Sequence, residues 1–240
     1  MIRTFILLLI TVLVIIITIP FLIVFLFTSK PRDGKPVPKA CEWLAHLVLP
    51  RLMKIAGAEV HITGKENMPD GPALYVANHQ SYFDIMIVLS YMTPLKGFIA
   101  KKEVRKVPLL NGWLKVVGCI YIDRANLRSS LDTINDAEEA LRNGHSLVVF
   151  PEGTRSHGKP MREFKGGSLR CAIRAGVPIV PFVIDGAYKL FEEHKRITPA
   201  SVNVKILPPV YPDPEAKTNE LAKELHDMIE RELKEAHKND

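Results

Sequence analysis

The sequence predicts an α/β fold: a mixed, largely buried sheet of about seven strands flanked by helices, with an N-terminal hydrophobic membrane segment. Two observations predict it. From residue 59 onward, short apolar runs alternate with stretches of helical periodicity, the pattern of strands connected through helices. Before that point, Phe5 to Phe27 contains no charged residue. In a chain of 240 residues this is one domain with an appendage.

The opening run, FILLLITVLVIIITIPFLIVFLF, is 23 residues long. As a helix rising about 1.5 Å per residue it would reach roughly 34 Å, enough for a hydrocarbon core of about 30 Å. It is longer than the core of a cleaved leader, and no small-x-small cleavage site precedes Lys30. A retained membrane segment over residues 1–29 is therefore expected. Pro20 leaves two forms open, a kinked span or a re-entrant segment. Lys30, Arg32, Lys35 and Lys39 follow the run and Arg3 alone precedes it, so the rest of the chain is expected on the cytoplasmic side.

KPRDGKPVPK, 30–39, reads as a Pro-rich basic linker. Cys41 to Ala56 then places Trp43, Leu44, Leu47, Val48, Leu52, Met53 and Ile55 at helical spacing, with Pro50 expected to kink it. Such a helix suits either a core-covering role or an amphipathic one at the lipid interface. The domain proper is expected over 57–240. Its strands are expected at 59–63, 73–77, 97–100, 119–122, 146–150, 178–184 and 202–207, and its helices near 84–92, 109–116, 128–142, 167–175 and 216–236. Gly176 is a natural helix stop.

Net charge is +6 and apolar residues make up 47 %. Anionic lipid headgroups and nucleic acid both suit that charge. The membrane segment favours lipid, and no zinc-finger, basic-helix or RNA-binding pattern argues for nucleic acid. The three cysteines, Cys41, Cys119 and Cys171, are widely spaced and show neither a metal-ligand pattern nor a disulfide framework, as expected of a reducing compartment.

NHQSYFD, 78–84, precedes the apolar run 85–89. Ser81 and Asp84 fit a capping box, with Ser81 as N-cap and Asp84 three residues on. That accounts for both without chemistry, but not for His79. On one regular helix His79 and Asp84 would point roughly 140° apart. If the helix begins at Ser81, His79 precedes it and can fold back. A carboxylate on one ring nitrogen would then fix the tautomer and leave the other nitrogen to accept a proton from a hydroxyl. Ser81 itself lacks the G-x-S-x-G setting of a nucleophile.

Gly153 to Lys159 spells G-x-x-x-x-G-K, but Pro160 stands where a P-loop needs Ser or Thr, and little helical pattern follows. Nucleotide hydrolysis is excluded on those missing parts. The loop remains suited to phosphate without magnesium: Arg155 supplies a planar fork and backbone N–H groups near Gly153 add to it. Lys101 and Arg124 also follow strand-like runs, and side chains just past strand ends converge on ligands in open α/β sheets.

These segments together resemble the glycerolipid acyltransferases. NHQSYFD is similar to that family's H-x-x-x-x-D block, GCIYIDR (118–124) to its second block, FPEGTRS (150–156) to its third and VPIVPFVI (177–184) to its fourth, in family order. The resemblance implies transfer of a fatty acyl group from an acyl thioester, acyl-CoA or acyl carrier protein, to the sn-2 hydroxyl of lysophosphatidate, giving phosphatidate. It implies His79 as general base oriented by Asp84. Arg124 and Arg155, with Lys101, would hold the substrate phosphate, and Glu152 and Gly153 would shape that pocket. It implies no metal, no cofactor and no covalent acyl-enzyme. Other acceptors, a non-catalytic lipid-binding protein and a serine hydrolase using Ser81 remain as alternatives.

Overall fold

All seven expected strands form, each within two residues of its expected bounds: β1 (Ala58–Thr63), β2 (Leu74–Ala77), β3 (Gly97–Lys101), β4 (Ile120–Ile122), β5 (Leu147–Val149), β6 (Ile179–Asp185) and β7 (Ala200–Ile206). The structure is a computed structural model that describes residues 2–123 and 127–238. The strands make one sheet in the order β1-β7-β6-β2-β5-β3-β4. Neighbours run parallel except β6 and β7. The sheet is thus mixed, and β2 and β6 are buried along their whole length, as a sheet covered on both faces requires.

Two layers of helix cover it. Tyr75 and Ala77 of β2 face a core shared with α1 (Ile2–Thr28), α2 (Lys39–Ala56), α3 (Phe83–Tyr91) and α4 (Pro108–Val116). Leu74 and Val76, one residue out of phase, face α5 (Leu127–Arg142), α6 (Arg170–Ala175) and α7 (Thr218–Ala236). This is the period-2 alternation of a strand between two apolar layers.

One helix differs from the sequence expectation. The segment expected to be one helix over 167–175 opens as a 3-10 turn, Gly166–Leu169, and becomes α-helical only at Arg170. A Cβ at Gly166 would lie 2.5 Å from the Thr218 carbonyl oxygen, so the start of α7 packs onto bare backbone there. α2 runs unbroken through Pro50, and α1 through Pro20. Each proline forfeits one intrahelical hydrogen bond, yet packing of α1 against α2 and α4, and of α2 against α3, holds both helices continuous. Gly176 caps α6 in the left-handed region, as expected.

α1 is long and apolar enough to cross a membrane by length and composition. It is fastened to the body at both ends. The Ile197 N–H donates to Thr4 Oγ1 at 2.9 Å near its start, and Ser29 Oγ donates to the Val116 carbonyl at 2.6 Å just past its end. Phe5, Leu8, Ile16, Phe21 and Phe27 on its outer side are exposed. Between α1, α2, α3 and α4 lies an apolar cavity of about 270 Å³, lined by residues such as Ile15, Leu44, Val48, Met86 and Trp113.

Lys96 precedes β3 and is fully buried. Its Nζ donates to the Pro94 carbonyl at 2.9 Å and sits 4.5 Å above the Tyr75 ring. Burial pulls its pKa from 10.5 to about 8, opposed by the charge of Glu42. Below pH 8 folded and unfolded chains both carry this proton. Between about pH 8 and 10.5 the unfolded chain keeps it and the folded chain does not, so in that window stability gains with rising pH. The unfolding free energy of wild type minus that of Lys96→Met is expected to climb across the window, by at most about 1.4 kcal/mol per pH unit. Urea titrations of both proteins at stepped pH measure it, and a difference that stays flat refutes the depressed lysine.

Candidate active site

The chain leaves β2 for β3 in one direction, crossing β5, and leaves β5 for β6 in the other, crossing β2. The ends of β2 and β5 therefore flank a topological switch point, where open α/β sheets leave a crevice. The segments after β2, β5 and β6 meet there.

Asn78 ends β2. Its side-chain amide accepts the Ile184 N–H at 2.9 Å and donates to the Ile184 carbonyl at 2.8 Å. It continues the β2–β6 ladder with a side chain and fixes the start of the next turn on β6. His79 follows. Its N–H donates to Glu152 Oε1 at 2.7 Å, and its carbonyl accepts the Ser156 N–H at 2.7 Å. Its ring stacks on Phe150, centroids 4.2 Å apart and planes 15° from parallel. The backbone and ring of His79 are thus set by the loop after β5.

The fold-back that the sequence permitted occurs. His79 Nδ1 lies 2.7 Å from Asp84 Oδ2. The same oxygen accepts the Gln80 N–H at 2.7 Å and the Ser81 N–H at 2.9 Å. Two backbone donors on one oxygen require an acceptor there, so the imidazole proton belongs on Nδ1 and the lone pair on Nε2. Asp84 is fully buried, which pushes its pKa up; the imidazole and the two N–H groups pull it back. Half of the expected capping box forms: Asp84 takes the Ser81 N–H, but Ser81 Oγ accepts the Phe83 N–H at 3.0 Å instead of that of Asp84, and the α-helix begins at Phe83 with Tyr82 at its N-cap. One carboxylate oxygen thus holds both the turn before α3 and the imidazole.

Ser81 is fully buried and its hydroxyl donates to Glu192 Oε2 at 2.7 Å. The imidazole turns to Asp84 instead. A serine so placed is a cap and no nucleophile, which disposes of the hydrolase alternative.

The loop after β5 carries Glu152, Gly153 and Arg155. Both oxygens of Glu152 are taken by backbone, Oε1 by His79 and Oε2 by the Arg162 N–H at 3.0 Å. Burial raises its pKa and those two N–H groups oppose the rise. It holds the loop under His79. Gly153 sits at φ 75° and its N–H donates to the Phe150 carbonyl at 3.0 Å, a turn that a side chain would strain. Arg155 stacks its guanidinium 3.4 Å from the Tyr82 ring centroid, and its Nη1 donates to Glu192 Oε1 at 3.0 Å. Lys101, exposed at the end of β3, is two strands from β2, roughly 10 Å along the sheet. Arg124 lies outside the described residues.

Sequence reasoning missed three members. Asn78 stood inside the quoted heptapeptide, and an amide just past a strand end was its signal. Phe150 reads in sequence as one more apolar strand residue. Glu192 carries no signal: it lies 111 residues from its partner Ser81, in a stretch without a motif.

A family model described as Acyltransferase matches residues 59–185. Among curated proteins, the chain is similar to the 1-acyl-sn-glycerol-3-phosphate acyltransferase of Saccharomyces cerevisiae, 31 % identical over 81 % of this chain and 66 % of that one. It is also similar to that of Limnanthes douglasii, 31 % identical over 78 % and 68 %. The matches span part of such relatives, down to 37 % of a chloroplast protein of Arabidopsis thaliana. Among solved structures, the lysophosphatidate acyltransferase PlsC of Thermotoga maritima superposes with a TM-score of 0.80 at 29 % identity, covering 98 % of this chain and 95 % of that one.

Proposed function

The chain belongs to the acyltransferase family, and we propose that it transfers a fatty acyl group from a thioester to the sn-2 hydroxyl of lysophosphatidate. The observation that carries this is the His79–Asp84 pair at 2.7 Å, in the crevice where the segments after β2, β5 and β6 meet. His79 Nε2 takes the proton of the acceptor hydroxyl. The oxygen attacks the thioester carbonyl carbon, the C–S bond breaks, and the thiolate leaves with the proton from the imidazolium. Asp84 stabilises the imidazolium between those events. Phosphatidate and free thiol are the products.

The acceptor phosphate lies against Arg155, whose loop passes beside His79 through the Ser156 N–H. Lys101, at the end of β3, adds charge further along the sheet, and the family resemblance assigns Arg124 to the same phosphate. Glu152 and Gly153 shape the loop that presents Arg155. The apolar cavity, bordered by Ile85 and Met86 directly after Asp84, takes an acyl chain. With α1 fastened to the body at both ends, its exposed face meets lipid along its length, and residues 57–240 stand at the cytoplasmic surface. Residues 30–56 join the two as linker and interfacial helix.

The test supplies oleoyl-CoA with 1-oleoyl-glycerol-3-phosphate or 1-oleoyl-glycerol, and reads free thiol and product mass. Thiol release that depends on the phosphorylated acceptor supports the proposal. No release with either acyl-CoA or acyl carrier protein as donor, while lipid still binds, would leave the non-catalytic lipid-binding alternative.

A further inference from the structure

We propose that Glu192 is the positioning residue of this site: it presents Arg155 to the acceptor phosphate and ties that arginine to the turn bearing the base. The inference rests on the acyl-transfer reading for the identity of the ligand. Glu192 belongs to none of the segments that resemble the family, lying on the turns after β6, beyond the 3-10 stretch Ala187–Leu190.

Its carboxylate is 1 % exposed. A buried charge persists only where donors surround it, and three do. Oε2 accepts the Ser81 hydroxyl at 2.7 Å. Oε1 accepts the Tyr82 N–H at 3.0 Å and the Arg155 Nη1–H at 3.0 Å. Two donors come from the turn after His79, and the third from the loop after β5.

The arginine is thereby fixed in two ways. The Tyr82 ring, 3.4 Å from Cζ, sets the plane of the guanidinium. Glu192 sets its rotation within that plane by taking Nη1. The Arg155 side chain remains 21 % exposed, and its guanidinium has N–H donors beyond the one that Glu192 takes. A guanidinium held in this way offers phosphate oxygens a fork without first losing rotamer freedom. A carboxylate so near also lessens the net positive charge, so the gain is orientation rather than attraction. Since Ser81 and Tyr82 lie on the turn that begins at His79, separated from it by Gln80 alone, the same carboxylate sets the distance between phosphate and base.

The test compares wild type, Glu192→Gln, Glu192→Ala, Arg155→Ala and the double variant Glu192→Ala/Arg155→Ala in detergent. Oleoyl-CoA and 1-oleoyl-glycerol-3-phosphate are varied in turn. Equilibrium binding of the same lysophosphatidate without donor and melting temperature are measured on each protein. Glu192→Ala is expected to raise the acceptor KM and dissociation constant at least tenfold, with the oleoyl-CoA KM within about twofold. Glu192→Gln recovers part of the loss, because an amide oxygen still accepts from Tyr82 and Arg155. In the Arg155→Ala background, Glu192→Ala adds less than about twofold, the signature of two residues acting as one. The inference is overturned if donor and acceptor weaken together, if the full effect persists without Arg155, or if melting falls while acceptor KM and binding hold. Absence of thiol release from wild type would refute acyl transfer and not this inference, which the binding measurements then decide alone.

Discussion

His79→Ala is expected to lower kcat for acyl transfer by about 10²–10⁴-fold, the usual contribution of a positioned base, or about 3–5 kcal/mol of barrier. The acceptor KM should change little, because nothing in the site routes phosphate binding through the imidazole. The variant should fold. Asp84 keeps two of its three donors, the Gln80 and Ser81 N–H groups, and the Glu152 contact is to backbone, which alanine retains. The lost ring leaves a gap over Phe150, so a modest drop in melting temperature accompanies the loss. Acceptor-dependent thiol release from oleoyl-CoA, with the melting curve alongside, measures both. Activity within tenfold of wild type in a folded His79→Ala would return the heptapeptide to a helix cap.

Asp84→Asn separates charge from geometry. The asparagine oxygen can stand where Oδ2 stands and accept the same three donors, keeping the tautomer and the cap. Its NH₂ then replaces Oδ1, which is buried without a partner, so the exchange leaves one unpaired atom either way. What disappears is the negative charge that stabilises the imidazolium. Electrostatic contributions of this kind are worth about 10²–10³ in kcat, and that loss is expected with KM for both substrates within a fewfold. Stability should hold or rise, because burial disfavours the charge of Asp84 and the variant no longer carries it. Asp84→Ala, by contrast, should lose stability as well, since it leaves the Ser81 and Gln80 N–H groups unpaired. Equal activity of Asp84→Asn and wild type would show that Asp84 serves only as a cap.

The sheet was legible because its central strands are apolar runs bounded by turn residues, while β1 and β7 alternate apolar and polar residues at the strand period. Helix starts were less so. Gly166, where the 3-10 turn opens, packs against the backbone of Thr218, and no local pattern in the sequence announces that contact. In the site, His79 and Asp84 were readable because a cap five residues from a histidine is a local geometry. The part played by Glu152 was not, since sequence shows a carboxylate but not that two backbone N–H groups claim it. Arg155 was named for its fork, while the partner that aims it came from the far side of β6.

β1 has one neighbour in the sheet, and that neighbour is β7. The first strand made therefore waits for the last. Until residues 200–206 leave the ribosome, β1 has no partner in the sheet, and the Ile197 N–H that will hold the start of α1 is not yet in place. Pairings this distant in sequence form slowly, and an uncovered apolar helix with a bare strand behind it is the kind of intermediate that aggregates. The lipid surface offers that helix an apolar neighbour during the delay. On the proposed membrane reading, a lipid surface is first a partner in biogenesis, sheltering the beginning of the chain until its end arrives.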